Sequence, residues 1–194
     1  MTRITYLCII AIALLCSCKS EYEAYVDREL SSGIEVDSLL FDLHMGQSRK
    51  EFYDHCWKLN KQKVIKQGGG ANIQLDIPAD ELYPERGGIK LLFYGAFDEN
   101  KIMRGMNFTY SYRAWAPWNK NLHADSLLVH LQQKLIDDFG GNDWLSVELP
   151  KSQKTAHVKI DGNRKMLLYK KDNQQVSMKI RDLNNPIDKS AMTR

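Results

Sequence analysis

The sequence predicts an α+β protein, an antiparallel sheet with helices on one face, and three observations point there. Residues 48–59 and 125–139 carry apolar side chains at helical spacing. Six other stretches alternate apolar and polar residues, or run apolar with aromatic and β-branched side chains, as strands do. Short polar turns such as Asp98-Glu99-Asn100, Asp161-Gly162-Asn163 and Asp172-Asn173 join neighbouring strands, which makes their pairing antiparallel. With 194 residues, 43% of them apolar and 26% charged, the chain can bury the core of one ordinary domain.

The first helix is announced by Ser48-Arg49-Lys50-Glu51, a capping box in which Ser48 and Glu51 satisfy each other's backbone amides. Phe52, Tyr53, Cys56, Trp57 and Leu59 then fall on one broad stripe, so Cys56 is expected in the core. Glycines 68 to 70 break the chain, and Ile73, Leu75 and Ile77 alternate as a half-buried strand up to Pro78. A loop with Pro84 and Gly87-Gly88 leads to the apolar run Ile89 to Phe97. The turn at 98–100 sends the chain back through Met106, Phe108, Tyr110 and Tyr112, a face expected to be the core side of a hairpin.

The second helix is expected from about Asp125 to Phe139, with Leu128, Leu131, Leu135 and Phe139 on one face and Gly140-Gly141 ending it. Three strands follow, marked by Val158 and Ile160, by Leu167 and Tyr169, and by Val176, Met178 and Ile180; a frayed tail is expected after Asp182. Helix, strand, strand, strand therefore occurs twice, in possible halves 34–113 and 124–182 that share architecture more than sequence. Residues 18–33 have mixed charge, Ser31-Ser32-Gly33 and no apolar period. They are expected to be a tether, with the folded domain spanning 34–194.

The N-terminus has a different grammar. Met1-Thr2-Arg3 is a short basic start, and Ile4 to Leu15 is apolar apart from Thr5, too short for the ~20 residues that span a bilayer. It reads as a signal peptide over 1–17. Leu15-Cys16-Ser17-Cys18 resembles the lipobox of bacterial lipoproteins, with Leu15 at −3, a small Ser17 at −1 and Cys18 as the new first residue. The resemblance implies a diacylglycerol thioether on Cys18, an amide-linked acyl chain such as palmitate on its freed amine, and a stable anchor, since each buried CH₂ contributes ~0.8 kcal/mol. Cys16 is a rival that would place Leu15 at the cleavage position. Lys19 follows Cys18 where an inner-membrane retention signal would have an aspartate, so the outer membrane is expected. Lys19-Ser20-Glu21-Tyr22-Glu23 loosely resembles the surface-export signals of the Bacteroidota, and Asp37-Ser38-Leu39 and Asp125-Ser126-Leu127 resemble their O-glycosylation motif, with Ser126 a competing helix-start residue. Gly46-Gln47-Ser48 before the Phe52 helix, with the tandem halves, resembles the β-lactamase inhibitor protein and the small lipoprotein of the β-barrel assembly machinery. That resemblance implies a helix layer on an antiparallel sheet and a role in binding proteins.

Composition and motifs narrow the chemistry. Arg3 is the only charged residue among positions 1 to 17, which leaves 26 basic against 24 acidic side chains from Cys18 onward, a balance that argues against nucleic acid. Cys8, Cys16 and Cys18 belong to the signal or the anchor, so Cys56 stands alone in the body with no intrachain partner. The five histidines, His44, His55, His123, His130 and His157, show no zinc-site spacing, and no metal or cofactor is expected. Gly68-Gly69-Gly70 lacks the Lys-Ser/Thr of a phosphate loop, and Asp137-Asp138 are helix neighbours that point apart. No catalytic constellation is legible, although one built from distant residues is a standing alternative. Trp115-Ala116-Pro117-Trp118, in the connection between halves, offers two indoles to a sugar ring or a partner, or else closes the core. The expectation is a non-enzymatic, lipid-anchored envelope protein that binds a protein partner or serves as an accessory to an outer-membrane assembly; glycan binding through Trp115 and Trp118 is the first alternative.

Overall fold

The computed structural model describes residues 20–79, 87–149 and 154–187. Eight strands form one antiparallel sheet. They are β1 (Lys66–Gln67), β2 (Ile73–Ile77), β3 (Ile89–Phe97), β4 (Met103–Tyr112), β5 (Leu145–Glu148), β6 (Thr155–Asp161), β7 (Arg164–Lys170) and β8 (Val176–Asp182). Their spatial order is β1-β2-β3-β4-β8-β7-β6-β5. Helices α1 (Glu21–Ser31), α2 (Arg49–Lys61) and α3 (Ala124–Phe139) pack on this sheet, so the α+β class and its antiparallel sheet are as expected.

The expected duplication has a geometric counterpart. A helix followed by strands occurs twice, as α2-β1-β2-β3-β4 and α3-β5-β6-β7-β8, with the short edge strands β1 and β5 added to each expected set of three. The last strands of the two halves pair with each other, Phe108 opposite Met178 and Met106 opposite Ile180, and this seam turns two four-stranded ribbons into one sheet. A single core crosses it: Phe52 and Cys56 of α2, Leu127, Leu131 and Leu135 of α3, and Leu91, Phe93, Phe108, Met178 and Leu168 of the sheet belong to one apolar cluster. At the seam Gly105 has φ 151, and a Cβ there would run into the Ile180 carbonyl oxygen, so only glycine lets β4 and β8 approach this closely.

Helix α2 begins as its sequence dictates, with Ser48 accepting from the Glu51 amide at 3.2 Å and the Glu51 carboxylate accepting from the Ser48 amide at 2.7 Å. The backbone just before it pairs alongside the β3–β4 turn, Gly46 N to Met103 O at 2.9 Å and Met103 N to Gln47 O at 2.7 Å. Helix α3 takes His123 rather than Ser126 as its N-cap residue, and no side chain caps it. Cys56 is buried and Phe108, Tyr110 and Tyr112 face the core, as their spacing predicts.

The tether expected over residues 18–33 is corrected by α1. Ser20 and Glu23 form a second capping box, and eleven residues of helix follow. This helix lies on the sheet face opposite α2 and α3. Strand register shows it: Val158 lies opposite Leu145 and Leu167, Ile160 opposite Lys165, on the reverse side from Leu168 and Met166. Val158, Ile160 and Tyr25 form a second apolar cluster there, with Tyr22, Val26, Leu145 and Leu167 packed around it. The Tyr25 hydroxyl donates to Ile160 O at 3.0 Å and accepts from Ile160 N at 3.0 Å, serving a backbone position that β5 does not reach. The described fold thus starts at residue 20, not near Ile34.

Candidate functional site

Cys18, like all of residues 1–19, lies outside the described residues. The two predicted tryptophans differ in exposure. Trp118 is 85% exposed, whereas Trp115 is half-buried, its ring 6.0 Å from that of His123 and its indole N–H without an acceptor among the described residues. His123 Nε2 sits 3.3 Å from Ala116 O and 3.2 Å from Pro117 O, which pins the loop between them. Trp118 thus stands in solvent, while Trp115 is partly covered beside His123.

A larger aromatic surface lies on α2. Tyr53 is 51% exposed and Trp57 61%, while only Phe52 and Cys56 of the expected stripe are buried. At 100° per residue, Phe52, Cys56 and Leu59 cluster on one side, and Tyr53 and Trp57 fall at its flank. That arithmetic is the signal a broad-stripe reading passes over. Beside the two rings runs a groove of about 440 Å³ between α2 and the β1–β2 turn, rimmed by Asn60, Gln67 and Asn72 and floored by Cys56 and Ile73. Lys61 Nζ stands 3.5 Å from the Trp57 ring centroid and covers one indole face. Burial pushes the Cys56 thiol up to about 11, so at neutral pH the groove floor is an apolar thiol and not a nucleophile.

No family model, curated protein or solved structure matches the chain. Its chemistry has to be read from its own side chains.

Two polar clusters show what those side chains do. Under the C-terminal end of α3, Lys159 Nζ donates to both oxygens of Asp161 at 2.7 and 2.6 Å, and Arg164 reaches the same carboxylate at 3.1 Å. Arg164 also donates to Ser38 O and to Phe139 O, the last helical carbonyl, and its guanidinium lies over the Phe139 ring. This is an internal clamp on a helix end. Near β5, Ser146 Oγ and His157 Nδ1 are 3.2 Å apart, and burial lowers the His157 pKa. The adjoining groove of about 440 Å³ holds Asp125, Lys154 and Lys170. There Lys170 is paired with Asp125 and Lys154 donates to Lys171 O, so these cations are spent on the protein itself. Among the described residues, no group of three or more His, Cys, Asp or Glu side chains could hold a metal ion.

The sheet face that carries α1 is basic beyond the helix. By register it presents Lys90 and Tyr94 of β3, Lys165 and Tyr169 of β7, and Lys179 and Arg181 of β8. Between them lie the small polar residues Asn107, Thr109, Ser111 and Ser177. Tyr94 is 45% exposed and Lys179 is exposed. Arg181 is held flat by Asn107 Oδ1 at 2.6 Å and by the Met106 and Ile180 carbonyls, and burial lowers its pKa. Asp76, the acid on this face of β2, is already paired with Lys66.

Proposed function

We propose that this protein is a lipid-anchored lipoprotein of the bacterial cell envelope, held on the outer membrane through Cys18. Its body then binds an envelope protein partner through the aromatic surface of α2, and does not catalyse a reaction. The observation that carries the binding role is the pair of exposed rings, Tyr53 and Trp57, beside an amide-rimmed groove. Aromatic side chains left in water on a rigid helix lose little conformational entropy on docking, and tryptophan and tyrosine are the residues that dominate protein interfaces. The anchor rests on the lipobox at Leu15–Cys18, and among the described residues no helix is long and apolar enough to cross a membrane.

The test is crosslinking of the intact protein in its native cells, with mass spectrometry of what is captured. One outer-membrane protein should be captured reproducibly. Trp57→Ala should cut the yield roughly tenfold or more, as loss of an interface anchor does, and Cys18→Ser should abolish capture by releasing the protein from the membrane. Capture insensitive to Trp57→Ala would remove α2 as the binding surface. A second reading, glycan binding, has one supporting observation in the 85% exposure of Trp118. It requires that Trp118→Ala, and not Trp57→Ala, abolish binding to a glycan array.

A further inference from the structure

The start of α1, from which the chain leads back to Cys18, and the basic sheet face are on the same side of the molecule. Helix α1 packs on that face through Tyr25 and Ile160, and its first turn lies over β7, where Lys165 Nζ is 3.3 Å from the Tyr22 hydroxyl. The N-cap of this helix is Ser20, and only Lys19 separates Ser20 from Cys18. Two residues reach at most about 7 Å even when fully extended. A lipid on Cys18 would therefore be tied within about 7 Å of the start of α1. A flexible tether of sixteen residues over 18–33 would have let the body turn freely; a docked helix does not.

We infer that the sheet face bearing Lys90, Lys165, Lys179, Tyr94 and Tyr169 lies against the headgroups of the bilayer that holds the Cys18 lipid. This rests on the lipid-anchored reading above. The face has the chemistry for it. Its lysines lie on three strands, β3, β7 and β8, across the breadth of the sheet, so they meet a plane and not a point. Lysine side chains carry their ammonium groups to phosphate depth, each worth about 1 kcal/mol near an anionic surface. Tyrosine rings suit the same depth, with an apolar body and a polar tip. Among the strand residues of this face the one acid, Asp76, is paired with Lys66, and the acids of α1, Glu21, Glu23, Asp27 and Glu29, stand with that helix at the other end of the sheet. The overall charge balance of the chain would not hold it on a membrane alone. The lipid supplies the residence, and the face sets the orientation. With the sheet on the membrane, α2 with Tyr53 and Trp57 is on the far side, turned toward the aqueous compartment where a partner would be met.

The test uses the full chain produced in cells that lipidate it, purified in detergent and reconstituted into vesicles of phosphatidylethanolamine and phosphatidylglycerol. Intact mass first reports whether Cys18 carries its lipid. Brief acetylation with a membrane-impermeant reagent, read by peptide mass spectrometry, then compares vesicles with detergent. Lys90, Lys165 and Lys179 should be acetylated several-fold more slowly on vesicles, while Lys58 and Lys101, on α2 and on the β3–β4 turn, should not change. In the triple variant Lys90→Glu, Lys165→Glu, Lys179→Glu, protection of Lys66 at the edge of the same face should be lost while the protein stays on the vesicles. Equal acetylation in vesicles and detergent would overturn the inference, and so would protection seen only in intact cells, which would assign the face to a protein. A chain found unmodified at Cys18 sinks both this inference and the proposed anchor; a lipidated chain whose lysines stay open sinks the inference alone.

Discussion

Lys159 is fully buried, and its ammonium is paired with the Asp161 carboxylate, which it shares with Arg164. Asp161 takes both its hydrogen bonds and one from Arg164, and the surplus positive charge faces the carbonyl end of α3 at Phe139. Such a cluster is costly to assemble and more costly to break, since removing one partner leaves an uncompensated charge in a dry site. Asp161→Asn should destabilise the fold by about 3–5 kcal/mol in urea unfolding, and adding Lys159→Met should recover part of that loss. A loss under about 1 kcal/mol would mean that water reaches the cluster. The sequence hides this site. Val158 and Ile160 are apolar and Lys159 is not, so alternation puts Lys159 in solvent, yet α1 covers the Val158 side and α3 covers the Lys159 side. Alternation shows that two faces differ, and says nothing about which layer lies over each.

At the scale of elements, α1 is the part that sequence reasoning missed and the part that decides most. Its capping box, Ser20 with Glu23, has the same form as Ser48 with Glu51 and was there to be read. What obscured it is a narrow apolar stripe of Tyr22, Tyr25 and Val26 among charged residues, too sparse to stand out by periodicity. The stripe suffices because Val158, Ile160 and Leu167 wait for it on the sheet. A chain that starts at Ile34 should lose at least about 3 kcal/mol, since each large apolar side chain uncovered costs roughly 1.5–3 kcal/mol. For a protein of this size that lowers Tm by about 6–12 °C. Thermal unfolding followed by circular dichroism checks it, and an unchanged Tm would restore the tether reading. On α2 the five apolar residues do not share one face: the helix buries Phe52 and Cys56 and leaves Tyr53 and Trp57 in water.

For the whole molecule, the seam between β4 and β8 is where two similar halves become one protein. The main core cluster runs across it without a break, so the two halves share one core. Gly105 sits at that seam with its backbone against Ile180, and Gly105→Val should cost at least about 2 kcal/mol by forcing the strands apart. The variant should still unfold in one step, with tryptophan fluorescence and circular dichroism transitions superimposed. Two separated transitions would show that the halves fold independently. The sequence by itself determined the α+β class, the capping of α2, the hairpins and their turns, and the burial of Cys56. Each of these is a local pattern, set by side-chain spacing or by a few neighbouring residues. Only the tertiary structure decided that the two halves pair through their last strands and that residues 21–31 are a helix on the opposite face. It also decided that Trp118 stands in solvent while Trp115 is partly covered, and that the basic strand residues share their face with α1. Those outcomes depend on which surfaces meet across the fold, and a side chain's spacing along the chain carries no record of what will lie over it.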